Sequence, residues 1–290
     1  MAISQLANWA ISQLVNGAPK KELLNSHPIG IFDSGIGGLT VAHSIKERMP
    51  NEAIVYFGDT AHLPYGDKSE AAIQAYSIKI ADVLLQAGCK VIVIACNSAS
   101  SAAYDLLREY VKRGVAVINV IDPMVKLVTQ QFSGKRIGLI GTKRTVNSGI
   151  YAKKLLENKS GVELTSLATP LLAPMIEEGF FDNNISHDII RQYLSDPALS
   201  HIEALVLGCT HYPLIKKEIA EFYSQRIAIL DSSEVVAEAV HAHLIKNELE
   251  NSSANPSHRF FVSDFTDSFE ASTRIFFGQQ VHLEKHRLWE

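Results

Sequence analysis

Short, continuously apolar runs recur between segments of helical periodicity along this 290-residue chain. "PIGIF" (28–32), "AIVYF" (53–57), "VIVIA" (91–95) and "VAVINV" (115–120) are apolar almost throughout. A strand with one wet face would alternate. A strand covered on both faces would not, and that is the pattern of a parallel sheet between layers of helix. The intervening segments read as helices, the first over 37–49. A second starts near Ser69, a fitting N-cap, and stops at Gly88. Ile73, Tyr76, Ile80, Val83 and Leu84 share one of its faces. The expected class is α/β with parallel strands.

The pattern then restarts. "KRIGLIGTKRTVNSGIY" (135–151) echoes "HPIGIFDSGIGGLTVAH" (27–43), each an Ile-Gly strand running into a polar loop and a helix. Gly30 and Gly138 are 108 residues apart, and Cys96 and Cys209 are 113 apart. Two echoes at nearly one offset imply two similar α/β halves. The chain crosses between them near Ile121–Pro123 and returns near Asp231–Ser233. A late strand, "RFFV" (259–262), and a last helix are expected to pack back onto the first half. Residues 1–27 stand apart. Ile3, Leu6, Ala7, Ala10 and Leu14 form a helical stripe, and "NGAPKK" breaks it, as an appended helix would require.

Composition excludes several functions. The net charge of −4 and pI near 6.3 give no global basic footprint for nucleic acid. Three cysteines, Cys89, Cys96 and Cys209, are too few and odd in number for a disulfide framework, and suit a reducing cytosol. No apolar run approaches the ~20 residues that span a bilayer. The N-terminus lacks the pattern of a secretory signal.

In open parallel sheets, ligands sit beyond the carboxyl ends of the strands. The residues there are Asp33-Ser34-Gly35, Gly58-Asp59 through Tyr65-Gly66, Cys96-Asn97-Ser98 and Cys209-Thr210-His211. "DSGIGG" (33–38) is not a dinucleotide fingerprint, because Thr40 stands where the third glycine belongs, and it lacks a P-loop's Gly-Lys-Ser/Thr. It is a tight turn that can seat a small anion before a helix. The loop over 58–69 is long for a strand-to-helix connection, so it is either a binding loop or ordinary surface.

Cys89, at a helix end, fits a small buried hydrophobe. Cys96 and Cys209 each end an apolar strand and are expected to open a helix, where the macrodipole lowers a thiol's pKa. Three chemistries compete for them. Cys96, Cys209 and His211 could ligate a metal, but their spacing is not that of structural zinc. One cysteine could be a nucleophile with His211 as base, which leaves its twin idle. Paired thiols facing one pocket suit proton transfer at a stereocentre, one sulfur removing a proton from one face and the other delivering to the opposite face. A non-catalytic binder gives no reason for the pair. No metal or cofactor motif is present. By pattern alone Glu177 is a solvated acidic helix end, and His211 is as well explained by a structural role.

Five stretches in order carry a resemblance: "IGIFDSGIGGLTV" (29–41), "YFGDTAHLPYG" (56–66), "VIVIACNSAS" (91–100), "PLLAPMIEEG" (170–179) and "LVLGCTHYPLI" (205–215). From about Pro28 to Val281 the chain resembles the glutamate racemases of the cofactor-independent aspartate/glutamate racemase family. The resemblance implies two doubly wound domains related by a pseudo-twofold with the site between them. The first would hold 28–122 plus 231–290 and the second 123–230. It implies interconversion of L- and D-glutamate without a cofactor, in the cytoplasm, for peptidoglycan and hence cell-wall shape. Cys96 would act on D-glutamate and Cys209 on L-glutamate. Asp33 would assist Cys96, while His211 and Glu177 would assist Cys209. Asp33, Ser34, Tyr65, Gly66, Asn97, Ser98, Thr210 and His211 would bind substrate. The implied partners are glutamate, a second copy where relatives dimerise, and a cell-wall precursor that activates some relatives. Aspartate is the alternative substrate. One departure is Ser98, where the family has threonine; the hydroxyl is kept and a methyl lost.

Overall fold

The structure, a computed structural model, describes residues 25–111, 114–252 and 255–289. The helix expected on the Ile3–Leu14 stripe lies outside the described residues. The chain builds two parallel sheets. The first takes β1 (Ile29–Asp33), β2 (Ile54–Gly58), β3 (Val91–Ile94) and β4 (Ala116–Asn119). It is completed by β9 (Arg259–Val262) and β10 (Glu284–Lys285), in the order β10-β9-β2-β1-β3-β4. The second holds β5 (Arg136–Gly141), β6 (Glu163–Ala168), β7 (Ala204–Gly208) and β8 (Ala228–Asp231), in the order β6-β5-β7-β8.

Laid side by side, the orders 2-1-3-4 and 6-5-7-8 are one topology used twice. Gly30 falls in β1 and Gly138 in β5, so the echo read from the sequence is a structural repeat. In each sheet the first strand sits between the second and third. Ile29 of β1 pairs with Ile54 on one side and Val91 on the other; Ile137 of β5 pairs with Leu164 and Ala204. The chain therefore reverses its winding beside β1 and β5. A crevice opens there beyond the carboxyl ends of the strands.

The helices follow from local chemistry. α1 (Leu39–Arg48) follows β1. α2 (Glu70–Gln86) starts where expected, with the Ser69 side chain accepting from the Ala72 N–H at 3.3 Å. Its chain turns away at Gly88, which holds φ +76°. The buried face is Ile73, Ser77, Ile80, Ala81 and Leu84; Tyr76 and Val83 lie at its margin, only partly buried. α3 (Asn97–Tyr110) and α4 (Ile121–Gln131) complete the first series. The second has α5 (Lys143–Asn147), α6 (Ile150–Glu157), α7 (Leu172–Glu177), α8 (Asn184–Leu194) and α9 (Lys216–Phe222). α10 (Ser232–Asn247) then packs on α1 and α4, and α11 (Asp267–Phe277) on α1. The late strand pairs with β2, so the C-terminal segment returns to the first sheet as expected.

Alternate residues of the first sheet serve two cores. Ile31 and Val93 join a cluster continuous with Leu139 and Val206 of the second sheet. Phe32 and Ile94 face the other way, onto Ile73, Leu84 and Leu107. Cys89 belongs to that second cluster, where burial pushes its thiol up to about 12.

At the amino ends of the strands, Lys90 is buried against Glu52 at 2.5 Å. Its ammonium also donates to the carbonyls of Asn25 and Leu249, while Glu52 accepts from the Asn251 N–H. The cluster ties the chain before β1, the start of β3 and the chain after α10 together. Lys90→Met leaves Glu52 buried without its cation and is expected to cost about 3–5 kcal/mol. Urea unfolding measures this. A loss under about 1 kcal/mol would show that the cluster is solvated.

Candidate active site

The carboxyl ends of β1, β2, β3, β5 and β7, with α7, surround one cavity of about 230 Å³. Ser34, Tyr65, Gly66, Cys96, Asn97, Ser98, Glu177, Cys209, Thr210 and His211 all line it. Asp33 does not; it is fully buried beneath.

Cys96 and Cys209 occupy equivalent places, just after β3 and β7, and each is 6% exposed. The surroundings differ. Cys96 caps α3: its backbone is extended, and its sulfur accepts from the Ala99 N–H at 3.4 Å. The Cys96 thiol donates to Ser34 Oγ at 3.6 Å. The sequence led us to expect a lowered pKa at this helix terminus. The opposite holds. Burial, then the charge of Asp33, push the thiol up to about 12, and the Ala99 and Ser34 hydrogen bonds only partly oppose them. A helix end stabilises a thiolate by a bounded amount, and desolvation of a nearly dry sulfur exceeds it.

Cys209 does not open an α-helix, which corrects the second expectation. A short 3₁₀ turn (Tyr212–Ile215) follows, with Pro213 near its start, and α9 begins only at Lys216. What stands beside Cys209 is a histidine. His211 Nδ1 lies 3.6 Å from the Cys209 sulfur, and Nε2 lies 2.8 Å from Glu177 Oε1. Burial alone would lower this imidazole; the hydrogen bonds and charges of Cys209 and Glu177 overcome it and hold His211 well above the usual histidine range. Glu177 ends α7, as the sequence suggested, but is not merely a solvated helix end.

Asp33 sits between the two sides. Its carboxylate accepts from the Gly35 N–H at 3.1 Å and from the Thr210 hydroxyl at 3.4 Å. Burial raises its pKa, against the charge of His211 and the backbone N–H groups of Gly38, Gly35 and Ser34. The loop after β1 must approach the second cysteine loop closely. A Cβ on Gly37 would collide with the His211 imidazole and come within 2.7 Å of Thr210 Oγ1. Thr40, the residue that breaks the dinucleotide fingerprint, donates to the Thr210 carbonyl at 2.9 Å.

Of the loop over 58–69, Leu63 through Gly66 line the cavity. Tyr65 is buried, and its hydroxyl donates to Asp59 Oδ2 at 2.6 Å rather than standing free. Asn97 accepts from the Tyr151 hydroxyl through Oδ1 at 2.8 Å. Ser98 Oγ lies 2.9 Å from Thr142 Oγ1, joining the two halves across the cavity. Thr142 and Tyr151 were missed in the sequence. Thr142 had a signal: it stands 108 residues after Ser34, the offset of the Gly30–Gly138 echo. Tyr151 had none. Among the described residues, the ligand atoms of Cys96, Cys209 and His211 do not gather within 4.8 Å of one another, so the three do not form a metal cluster; Asp182, His187 and Glu218 do meet that spacing.

The geometry thus offers two sulfurs in one nearly dry cavity, one beside a carboxylate and one beside an imidazole. The chain as a whole is similar to known proteins. Residues 38–240 match the family described as Asp/Glu/Hydantoin racemase. A glutamate racemase of Chlorobaculum parvum is 39% identical over 261 residues, covering 90% of this chain and 96% of the relative. The glutamate racemase of Francisella tularensis, solved with D-glutamate, superposes with a TM-score of 0.85 at 38% identity, over 91% of this chain and 98% of that one. The Escherichia coli glutamate racemase, solved with L-glutamate and the activator UDP-MurNAc-Ala, superposes with a TM-score of 0.72 at 25% identity, over 86% and 95%. On the length and identity of these matches, the chain belongs to the Asp/Glu/Hydantoin racemase family.

Proposed function

We propose that this racemase interconverts L- and D-glutamate by transferring protons between Cα and two thiols. One observation carries the reading: two sulfurs of equal exposure, at equivalent positions of a repeated fold, line one cavity. The names of its relatives support glutamate as the substrate.

The proton inventory gives the direction of each step. Cys96 at rest is a neutral thiol, an acid ready to donate. His211 at rest is positively charged, next to Cys209. This form suits L-glutamate. With Cys209 starting as its thiolate, the sulfur takes the α-proton, breaking C–H and forming S–H. The carbanion left at Cα then takes the Cys96 proton on its opposite face, forming C–H and breaking S–H. The pair is now reversed, and D-glutamate can react by the same steps backwards. The Asp33 charge acts on Cys96 and Glu177 is hydrogen-bonded to His211, so each is suited to steady the proton on that partner. The hydroxyls of Ser34 and Ser98, the Gly66 backbone and the Asn97 amide supply donors for the two carboxylates, while Thr210, whose hydroxyl donates to Asp33, lines the cavity beside them. Tyr65 acts through packing, because its hydroxyl is already committed to Asp59.

In this reading the product feeds peptidoglycan synthesis in the cytoplasm. A homodimer and activation by a cell-wall precursor belong to the same reading, the second motivated by the E. coli complex. No helix among the described residues is long and apolar enough to cross a membrane.

Polarimetry on L-glutamate with no added cofactor is expected to show decay to zero rotation. L-aspartate turning over faster would replace glutamate as the substrate. Cys96→Ala and Cys209→Ala are each expected to lower turnover by about 10²–10⁴-fold. A variant retaining the wild-type rate would sink the two-thiol mechanism. The raised Cys96 pKa gives a pH prediction. Alkylation by iodoacetamide needs the thiolate, whose fraction grows about tenfold per pH unit below the pKa. Peptide mapping should therefore find Cys96 labelling slow at pH 7 and climbing through pH 10. A plateau below pH 9 would contradict the assigned resting state.

A further inference from the structure

We propose that Tyr151 is a positioning residue of this site: its hydroxyl fixes the Asn97 amide so that Nδ2 is presented to a substrate carboxylate. The proposal rests on the racemase reading and deepens it.

Tyr151 belongs to α6, in the half built on the second sheet, and is 3% exposed. The chain reaches it through Gly149, whose φ of +63° turns the backbone between α5 and α6. Asn97 is the first residue of α3, in the other half and next to Cys96. The hydroxyl-to-Oδ1 bond of 2.8 Å therefore spans the two halves. Burial, and then the charge of Asp122, raise the phenol's pKa, so it keeps its proton and remains a donor.

A donor facing Asn97 decides which way the amide points. Oδ1 must accept from the phenol, so Nδ2 turns to the other side. There Nδ2 is buried and has no hydrogen-bond partner. Asn97 lines the cavity that holds both sulfurs. A buried unpaired N–H₂ is a costly feature to retain without a use. Here it is a neutral donor on the residue next to Cys96, and an anionic oxygen would satisfy it. With the amide reversed, Nδ2 would meet the phenol, whose proton would then need another acceptor, and Oδ1 would meet the carboxylate as acceptor against acceptor. The tyrosine prevents that reversal. Because Asn97 adjoins Cys96, fixing the amide also fixes where the substrate sits relative to that sulfur.

Tyr151→Phe keeps the ring and removes only the hydroxyl. It is expected to raise KM for L-glutamate about tenfold, the effect of losing one oriented hydrogen bond, and to change kcat less than about threefold. A purely structural role would move the thermal midpoint instead. The double variant Asn97→Ala/Tyr151→Phe separates the two. If Tyr151 acts through the amide, the double variant has the KM of Asn97→Ala alone. Multiplying effects, or an unchanged KM in Tyr151→Phe, would overturn the proposal. Calorimetric binding of glutamate to the same variants keeps the test independent of turnover. Wild-type protein that binds glutamate without racemising it would defeat the functional reading, while the Tyr151 effect on binding would still be measured.

Discussion

One strand order used twice is the constraint on which the site depends. Placing the first strand of each sheet between the second and third opens a crevice at its carboxyl end, and a cysteine follows the third strand in both. The repeat turns two separate crevices into a single cavity with a thiol on each side. Close approach of the halves then becomes a steric requirement. Gly37 meets it by having no Cβ beside His211, and Thr40 meets it with a hydroxyl on the Thr210 carbonyl. The interface between the halves is also hydrogen-bonded at Ser98–Thr142 and Tyr151–Asn97. Cavity-lining groups and lobe contacts are thus partly the same residues.

The repeat is broken at the two sulfurs. Cys96 caps a long helix next to a buried carboxylate, and Cys209 enters a 3₁₀ turn next to an imidazole backed by Glu177. The proposed two-thiol transfer needs one sulfur to hold a proton while the other takes one, which two identical environments would not favour. Asp33 and His211 supply opposite charges to the two sides. The His211 charge also acts on Asp33, lowering the pKa that burial raises. Opposite charges in a nearly dry site bias which sulfur holds the proton far more than they would in water.

Much of this was legible in the sequence because it is written in local patterns. Doubly covered strands have no polar alternation to hide, so β1, β2 and β3 were found within a residue or so, and β9 exactly where "RFFV" lies. Ser69 announces α2 because a cap is a one-residue signal. The paired thiols were found because each ends an apolar run. What was not legible depends on contacts between distant segments. Tyr151 reaches Asn97 across 54 residues, and no local pattern records that. The Cys96 pKa was misjudged because a helix terminus is visible in sequence, whereas the burial that outweighs it is set by the assembled fold. Thr142 lies between these cases, hidden locally but recoverable from the internal repeat.

The central claim is that two different groups serve the two faces of Cα. Its most direct test is L-glutamate in D₂O, stopped early in the reaction, with deuterium at Cα measured separately in each enantiomer. Two thiols predict that D-glutamate carries deuterium from its first appearance, while the remaining L-glutamate stays protiated. A single base would return the label to both faces, and deuterium rising equally in both enantiomers would contradict the account.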